Sequence, residues 1–129
     1  MAGPSVRFRI DFAEHSSLGP GKILLLEAIR ESGSLSQGAR NIGMSYRRAW
    51  LLVESLKETF REPVTVASTG GKAGGGMVVT EFGDALIKSY RELERDFATL
   101  AERRFRPIIA TVVRRSKSGA KVSVRANLG

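Results

Sequence analysis

A short turn between two capped helices constrains the fold of this chain more than any other feature. Ser34 stands three residues before Gln37, which is the spacing of a capping box, and this predicts a short helix that ends near Gly43. Ser45 stands where the N-cap of the next helix belongs, and Pro63 limits how far that helix can run. Two helices joined by a glycine-containing turn of about three residues have helix-turn-helix spacing. The apolar positions of the later helix are Ala49, Val53, Leu56 and Phe60.

The segment before this turn predicts a strand and a first helix. Residues 6–12 alternate apolar and charged side chains, as in a strand with one buried face. The sequence Gly19-Pro20-Gly21 then interrupts the chain, and near-helical spacing of apolar residues predicts a helix over about residues 20–31, closed by Gly33. The side chains expected to point inward from the strand are Val6, Phe8, Ile10 and Phe12.

Two short β-prone runs, residues 64–67 and 77–80, follow the third helix and flank a glycine-rich segment. They predict a hairpin with a flexible tip. Glycine allows the tip to approach a DNA backbone closely and Lys72 supplies positive charge, although a merely mobile loop is the alternative. The segment lacks the Gly-Lys-Ser/Thr of a nucleotide-binding P-loop and runs into a strand, so no nucleoside triphosphate site is expected.

A long final helix is predicted over about residues 80–106. Thr80 can cap its start, arginines at its end suit the helix dipole, and Pro107 ends it. Its apolar residues step by four and three residues in a heptad-like seam that is longer than a single domain usually needs. The seam is either intramolecular core or the contact with a parallel or antiparallel second copy, and its length favours a homodimer. The candidate dimerisation residues are Leu86, Tyr90, Leu93, Phe97 and Leu100.

Charge is distributed unevenly between the predicted domain, residues 1–106, and a basic C-terminal tail, residues 107–129. The tail holds five of the 21 Lys and Arg residues and no acidic residue, so residues 1–106 are only mildly basic despite a formal charge of +8. Residues 108–113 are apolar and strand-like, and residues 116–120 are typical of a linker. The tail folds, pairs with the N-terminal strand, or stays disordered until it meets phosphate; the sequence leaves these alternatives open.

The order of elements predicts a mainly α-helical fold with a small β-sheet, namely a winged helix-turn-helix with a long C-terminal dimerisation helix. Composition removes other classes of function. The chain has no cysteine and one histidine, so no metal site is expected and no cofactor is assigned. No spacing pairs a nucleophile with a base or two catalytic carboxylates, so an enzyme is not expected. No apolar run reaches the roughly 18 residues of a membrane span, and we expect a cytoplasmic protein without a membrane partner.

The exposed start of the third helix carries the first group of candidate DNA-binding residues. Arginine can bond a guanine edge or hold a phosphate, and both roles stay open for Arg47 and Arg48. Tyr46 and Trp50 can stack on bases or pack on the domain, so Trp50 is the less secure assignment. The full group is Ser45, Tyr46, Arg47, Arg48 and Trp50.

The start of the second helix supplies a further group. Ser34, Ser36 and Gln37 can offer hydroxyl and N–H groups to a phosphate, although capping alone also explains them. Together with Lys72 at the hairpin tip, they complete the predicted DNA-binding surface. Duplex DNA is preferred to RNA because no strand carries a pair of stacking aromatics and no GxxG clamp joins two helices.

Three short blocks stand out between residues 20 and 100. They are Ser32-Gly-Ser-Leu-Ser-Gln-Gly-Ala39, Ser45-Tyr46 with Ala49-Trp50, and Thr69-Gly-Gly-Lys-Ala-Gly-Gly-Gly76 followed by Thr80. In this order they resemble the N-terminal DNA-binding domain of ModE, the molybdate-responsive regulators. The resemblance implies a LysR-like winged helix domain that dimerises through its last helix and binds palindromic operators near molybdate-transport genes. By position it puts residues 45–50 on the recognition helix and residues 70–76 on the wing.

The resemblance does not extend to an effector site. Full-length members of the family continue into molybdate-binding β-barrel domains, and about two dozen residues follow the last helix here, too few for such a pair of barrels. The family's oxyanion-binding residues therefore have no counterpart, and no molybdate site is assigned to any residue. The resulting hypothesis is a sequence-specific transcription regulator, activator or repressor. The alternative is a non-specific DNA-binding or protein-interaction module.

Overall fold

The computed structural model describes residues 3–69 and 75–113. Helices account for most of them, and two small antiparallel hairpins complete the fold, which confirms the predicted mainly helical class with a small amount of sheet. The elements are β1 (Ile10–Ala13), β2 (Ser16–Leu18), α1 (Pro20–Ser32), α2 (Leu35–Asn41), α3 (Tyr46–Thr59), β3 (Thr65–Ser68), β4 (Gly76–Val79), α4 (Glu81–Arg104) and α5 (Arg106–Ile109).

Helices α2, α3 and α4 begin where the sequence predicts them to begin because side-chain caps satisfy some of their first N–H groups. The Ser45 hydroxyl accepts a hydrogen bond from the backbone N–H of Arg48 at 3.1 Å, and Thr80 caps α4 in the same way. The Ser34 hydroxyl accepts from the N–H of Gln37 at 3.0 Å. The capping box is only half formed, since the Gln37 amide donates to Asn41 at 2.8 Å instead of turning back.

The N-terminal strand departs from the prediction. Only Ile10–Ala13 forms a strand, and its partner is the unpredicted strand Ser16–Leu18. The register shifts between Asp11 and Ala13, and such a bulge breaks the alternation of side chains between the two faces. The prediction that Phe12 points inward is therefore wrong: it is 53% exposed, although the edge of its ring contacts Phe60.

Two apolar clusters form the core, one on each side of α1. The first cluster joins α1 to α4 and is completed by the N-terminal segment, whose Phe8 ring stacks on Tyr90 at 4.4 Å. The second cluster joins α1 to α2 and α3 and fixes the turn between those two helices. The buried residues of the second cluster are Leu25, Ile29, Leu35, Ala39, Ala49 and Val53.

Close backbone contacts hold α2 and the β3–β4 hairpin against α1. A Cβ atom at Gly38 would lie 3.1 Å from the Ile29 nitrogen and 3.2 Å from the Ala28 carbonyl carbon, so only glycine lets the two helices approach this closely. The N–H of Met77 donates to the Gly33 carbonyl at 2.8 Å, which joins β4 to the end of α1. The hairpin is therefore fixed at its base relative to α2 and α3.

The C-terminal part of the described chain corrects a second prediction. Residues 108–113 are not strand-like: one helical turn, α5, spans Arg106–Ile109 and crosses the predicted domain boundary. Pro107 lies in the first turn of α5, where a helix tolerates proline because the missing N–H would have no partner. The basic residues of the tail from position 114 onward lie outside the described residues. Within residues 3–69 and 75–113, no helix has both the length and the apolar character needed to cross a bilayer.

Candidate nucleic-acid interface

An open groove of about 1270 Å³ lies between the start of α2, one side of α3 and the β3–β4 hairpin. The structure brings five of the predicted DNA-binding residues together along its walls. They are Ser34, Ser36, Gln37, Tyr46 and Trp50. The opposite wall comes from the hairpin, through Thr65, Val66 and Ala67 of β3 and Gly75, Gly76 and Met77 around the start of β4.

Two aromatic side chains on α3 are exposed in this groove. Tyr46 is 56% exposed and Trp50 is 47% exposed, one helical turn further along. Ala49 between them is fully buried, so α3 divides its residues between core and groove. Neither aromatic ring belongs to the two core clusters, and each side chain combines an apolar ring with a polar group that can form a hydrogen bond.

The two adjacent arginines of α3 are exposed but do not line the groove. Arg48 lies on the α1 side of the helix, where its guanidinium comes within 3.8 Å of the position that a Gly21 Cβ would occupy. Neither Arg47 nor Arg48 forms an ion pair with any of the described acidic residues. Both cations are therefore displayed to solvent without a neutralising partner in the described part of the chain.

A hydrogen-bonded group on α2 holds Gln37 in place. Its amide nitrogen donates to Asn41, and its amide oxygen accepts from Arg40 at 3.3 Å. Ser34 and Ser45 accept hydrogen bonds as caps, but each hydroxyl keeps its own proton for donation. Capping and phosphate binding are therefore compatible at these two positions.

The charges on the groove wall formed by α3 largely cancel further along the helix. Lys57 and Glu54 both line the groove and form an ion pair at 3.2 Å. The positive potential of α3 is therefore concentrated at its N-terminal turn, where Arg47, Arg48 and the positive end of the helix dipole coincide.

A buried lysine of α1 forms a hydrogen bond to α3 on the side that packs against α1. Lys22 of α1 is 8% exposed, and its ammonium group donates to Ser55 of α3 at 2.9 Å and to the Ser17 carbonyl at 2.8 Å. Burial, with a smaller contribution from Arg9, lowers the pKa of Lys22. These bonds fix α3 relative to α1 and to the β1–β2 hairpin.

The sequence analysis missed two features of this region, the exposed side chain of Leu51 and the buried hydrogen bonds of Lys22. Leu51 is 48% exposed on α3, and only its helical phase, opposite the apolar positions, could have identified it. The Lys22 bonds had no signal beyond a lysine within an apolar run. Lys72 and the other residues of segment 70–74, predicted for the hairpin tip, lie outside the described residues.

The seam predicted for dimerisation divides into two parts. Tyr90 is 2% exposed, and its hydroxyl donates to the Phe8 carbonyl at 2.6 Å, so its side chain is not available to a second copy. Leu86 packs against the core cluster that joins α1 to α4. The Phe97 and Phe8 rings meet edge to face, with their centroids 5.0 Å apart. Leu93 and Leu100 are half-buried on the part of α4 beyond that cluster. Beyond α4, Phe105, Ile108, Val112 and Val113 are exposed.

Comparison with known proteins finds relatives among molybdenum-related proteins. The chain is 42% identical over 83 residues to the molybdenum-pterin-binding protein MopB of Rhodobacter capsulatus, covering 64% of this chain and 31% of MopB. It is 32% identical over 97 residues to the molybdenum transport protein ModE of Azotobacter vinelandii, covering 75% of this chain and 36% of the relative. It is 42% identical over 71 residues to the DNA-binding transcriptional dual regulator ModE of Escherichia coli K12, covering 55% of this chain and 27% of the relative.

These matches are partial in both directions. No protein-family model matches the chain. The chain spans about a third of the length of the curated relatives it matches. Identities of 32–42% over 71–97 residues agree with the resemblance carried by the three sequence blocks. Over the part of its length that these matches cover, the chain is homologous to ModE-type regulators and molybdenum-pterin-binding proteins.

Proposed function

We propose that this chain is a sequence-specific DNA-binding module of a ModE-like transcription regulator. The observation that supports this most is the groove, because it gathers the start of α2, the exposed aromatics of α3 and the β3–β4 hairpin on one surface. In this proposal α2 and α3 form a winged helix-turn-helix, α3 enters the major groove of duplex DNA, and the hairpin is the wing along the backbone.

The chemistry of the surface supports a polyanionic, base-bearing ligand. Cations at the N-terminal turn of α3 attract phosphate, and the capped starts of α2 and α3 present hydroxyl groups beside them. Tyr46 and Trp50 add apolar area that an exposed protein surface otherwise avoids. This combination suits a nucleic-acid groove, in which charged backbone and flat base edges lie side by side.

The proposal includes a homodimer on a palindromic operator. A two-fold dimer places two α3 helices on two half-sites. Within the predicted seam, Leu93 and Leu100 remain half-buried by their own chain, whereas Tyr90 is excluded by its burial. The target genes proposed are those of molybdate transport or other molybdenum functions, since relatives bear the names of molybdenum transport and molybdenum-pterin-binding proteins. The site of action proposed is the cytoplasm, where the operator DNA lies.

The proposal is tested by selection from a random duplex library at about 150 mM salt, with and without molybdate. We expect an enriched palindrome, and the comparison with and without molybdate measures whether this chain alone responds to that oxyanion. Trp50→Ala should weaken binding to that palindrome roughly tenfold or more, through loss of buried aromatic area. The matched control is Phe12→Ala, an aromatic of similar exposure on the β1–β2 hairpin, which should bind as the wild type does.

The exposed apolar residues after α4 favour a second candidate, a protein-interaction module. The same selection separates the two. Absence of binding to any duplex would contradict sequence-specific regulation and support the second candidate, whereas weak binding that falls steeply with salt on every duplex would indicate a non-specific DNA-binding module.

A further inference from the structure

The N-terminal half of α3 presents three different faces. The helix turns by about 100° per residue, so Arg47 and Leu51 lie on one stripe opposite Ala49 and Leu56, which are buried. Tyr46 and Trp50 face the groove on one flank. The other flank faces α1 and carries Arg48, Leu52 and Ser55, with Ser55 bonded to Lys22 and Leu52 within 4.0 Å of the Gly21 Cβ position.

The dimensions of DNA give each face a different target. A helix with its side chains is about 10–12 Å across, and the major groove is about 12 Å wide. A helix that enters the groove therefore nearly fills it. The stripe opposite the protein core points to the base edges on the floor, and the two flanks face the phosphates on the walls.

Resting on the DNA binding proposed above, we propose that Arg47 and Leu51 read base edges, whereas Arg48 holds a backbone phosphate. The two arginines are neighbours in sequence but lie about a quarter turn apart on the helix. Their exposure is similar, so their direction decides their role. This assigns a specificity-determining role to Leu51 and a positioning role to Arg48.

Leu51 suits one base in particular. Its side chain is apolar and 48% exposed, and it lies one helical turn from Arg47 on the same stripe. The major-groove edge of thymine carries a methyl group, which none of the other three bases has. A leucine at this place therefore recognises thymine by contact with that methyl group.

Arg48 lies where a phosphate would complete its surroundings. Its guanidinium is beside Gly21, at the start of α1, and the first turn of α1 contains no acidic residue and no side-chain cap. No ion pair within the described residues draws Arg48 toward the protein. A phosphate on that wall of the DNA major groove would face the Arg48 guanidinium beside a helix turn that carries no acidic residue.

The charges along the side of α3 that carries Arg47 and Leu51 determine which half of the helix enters the major groove. Beyond Leu51, the same side of the helix carries Glu58, which is exposed and would be repelled by phosphate. Arg47 and Leu51 precede it, at the positive end of the helix dipole. The N-terminal half therefore approaches the base edges, and the C-terminal half stays outside.

The arginine roles are tested with Arg47→Ala and Arg48→Ala on the selected palindrome and on a scrambled duplex, each over a range of salt concentrations. Arg48→Ala should weaken binding to both duplexes by the same factor and lower the slope of log K against log salt by about two, one for each protomer of the dimer. Arg47→Ala should lower the preference for the selected site by roughly tenfold, at one base pair of each half-site. Arg95→Ala, an exposed arginine on α4, is the matched control and should change neither quantity.

The role of Leu51 is tested by replacing each thymine of the palindrome with deoxyuridine, which removes only the methyl group. One replacement should weaken wild-type binding about fourfold at each half-site, or roughly 15-fold for the whole palindrome. Leu51→Ala should bind the thymine and uracil duplexes equally at that position and still distinguish them elsewhere. Leu24→Ala, at 45% exposure on α1, should keep the wild-type pattern.

These measurements separate two kinds of failure. A wild-type chain that enriches no sequence contradicts the proposed function, and this inference falls with it. If the wild-type chain enriches a palindrome, the proposed function stands and the inference is tested by the variants. The inference is overturned if Arg48→Ala changes base preference, or if Arg47→Ala weakens binding equally on both duplexes. Loss of the uracil effect in Leu24→Ala, or its persistence in Leu51→Ala, overturns the thymine assignment.

Discussion

Two parts of this molecule expose large apolar side chains to a similar degree but in different company. In the groove, Tyr46 is 56% exposed and Trp50 is 47% exposed, beside serine hydroxyls and a glutamine amide. At the end of α4, Phe105 is 52% exposed and Ile108 is 54% exposed, and the chain around them offers further aliphatic residues and arginines. The fraction of surface exposed therefore does not distinguish the two regions, whereas the polar groups around each apolar side chain do.

The difference bears on what each region can bind. Aromatic rings interleaved with hydrogen-bonding groups suit a partner with both flat and polar parts, as proposed for DNA in the groove. Aliphatic side chains that continue a helical seam suit another apolar surface, as proposed for a second copy along α4. Four changes test how far the two regions are independent.

The largest effect is expected from Gly38→Val, which acts on the groove side. The new side chain would collide with the α1 backbone at Ile29 and Ala28 and force α2 away, at a cost of about 2–4 kcal/mol in the free energy of unfolding. Urea unfolding followed by circular dichroism measures it. Gly75→Ala is the control, since nothing lies within 4 Å of that Cβ position, and equal destabilisation by both changes would contradict the packing argument.

Leu100→Asp should break the other region and leave the groove intact. A buried charge in an apolar seam should weaken self-association by at least roughly tenfold, measured by sedimentation equilibrium. The thermal midpoint of the monomer should change little, because Leu100 lies beyond the described core cluster. Leu24→Asp serves as the control on α1, and unchanged self-association of Leu100→Asp would exclude this part of α4 from the interface.

Glu27→Gln tests the connection between the two regions. Arg91 of α4 makes two hydrogen bonds to Glu27 of α1, at 2.8 and 2.7 Å, and this holds the pKa of Glu27 below its usual range. The stabilisation is present above the ordinary glutamate pKa and is lost as the pH falls through the lowered value. Replacing Glu27 should therefore cost about 1–2 kcal/mol near pH 7 and progressively less below roughly pH 4.

Urea unfolding of the wild type and of Glu27→Gln, near pH 7 and below roughly pH 4, measures how the cost of the substitution changes with pH. Asp11→Asn removes the exposed ion pair with Arg9, which should contribute less than about 1 kcal/mol at either pH. A Glu27→Gln cost that stayed constant between the two pH values would mean that packing, and not the charge of the carboxylate, joins α1 to α4.

The smallest effect is expected from Tyr90→Phe, which refines the border between core and seam. The change removes one hydrogen bond, from the Tyr90 hydroxyl to the Phe8 carbonyl, and keeps the stacked rings. The loss should be about 1 kcal/mol, with faster proteolysis of the N-terminal segment as the more sensitive measurement. Weaker self-association of this variant, with unchanged stability, would return Tyr90 to the dimer surface.

Local patterns in the sequence predict the helices of this fold well, because their signals are local. Ser34, Ser45 and Thr80 cap their helices as their spacing predicts. Contacts between distant segments could not be predicted in the same way. The seam of α4 looks uniform in sequence, yet the N-terminal segment covers its Tyr90 and Phe97 positions, and no local pattern shows where that segment lies. The inward position predicted for Phe12 failed because a bulge changed the strand's alternation.

In the candidate site, too, local features could be predicted from the sequence and contacts between distant segments could not. Helical phase predicts that Tyr46, Arg47 and Arg48 are exposed at the start of α3. It does not predict that Trp50 faces the hairpin while Arg48 faces α1, since that depends on how three elements pack. Burial of the Lys22 ammonium against Ser55 is likewise a product of tertiary structure.

Thr80 joins the β3–β4 hairpin of the proposed DNA-binding surface to α4, the helix that we propose for dimerisation. Its N–H donates to the Val64 carbonyl, next to β3, while its hydroxyl caps α4 through the N–H of Gly83. One residue therefore fixes the base of the hairpin and the first turn of α4 together. In a dimer paired along α4, a change in the angle between the two helices would move both hairpins as rigid arms. The angle between the paired α4 helices would then set the distance between the two half-sites of the operator. A change in dimer geometry during evolution would therefore require a matching change in operator spacing.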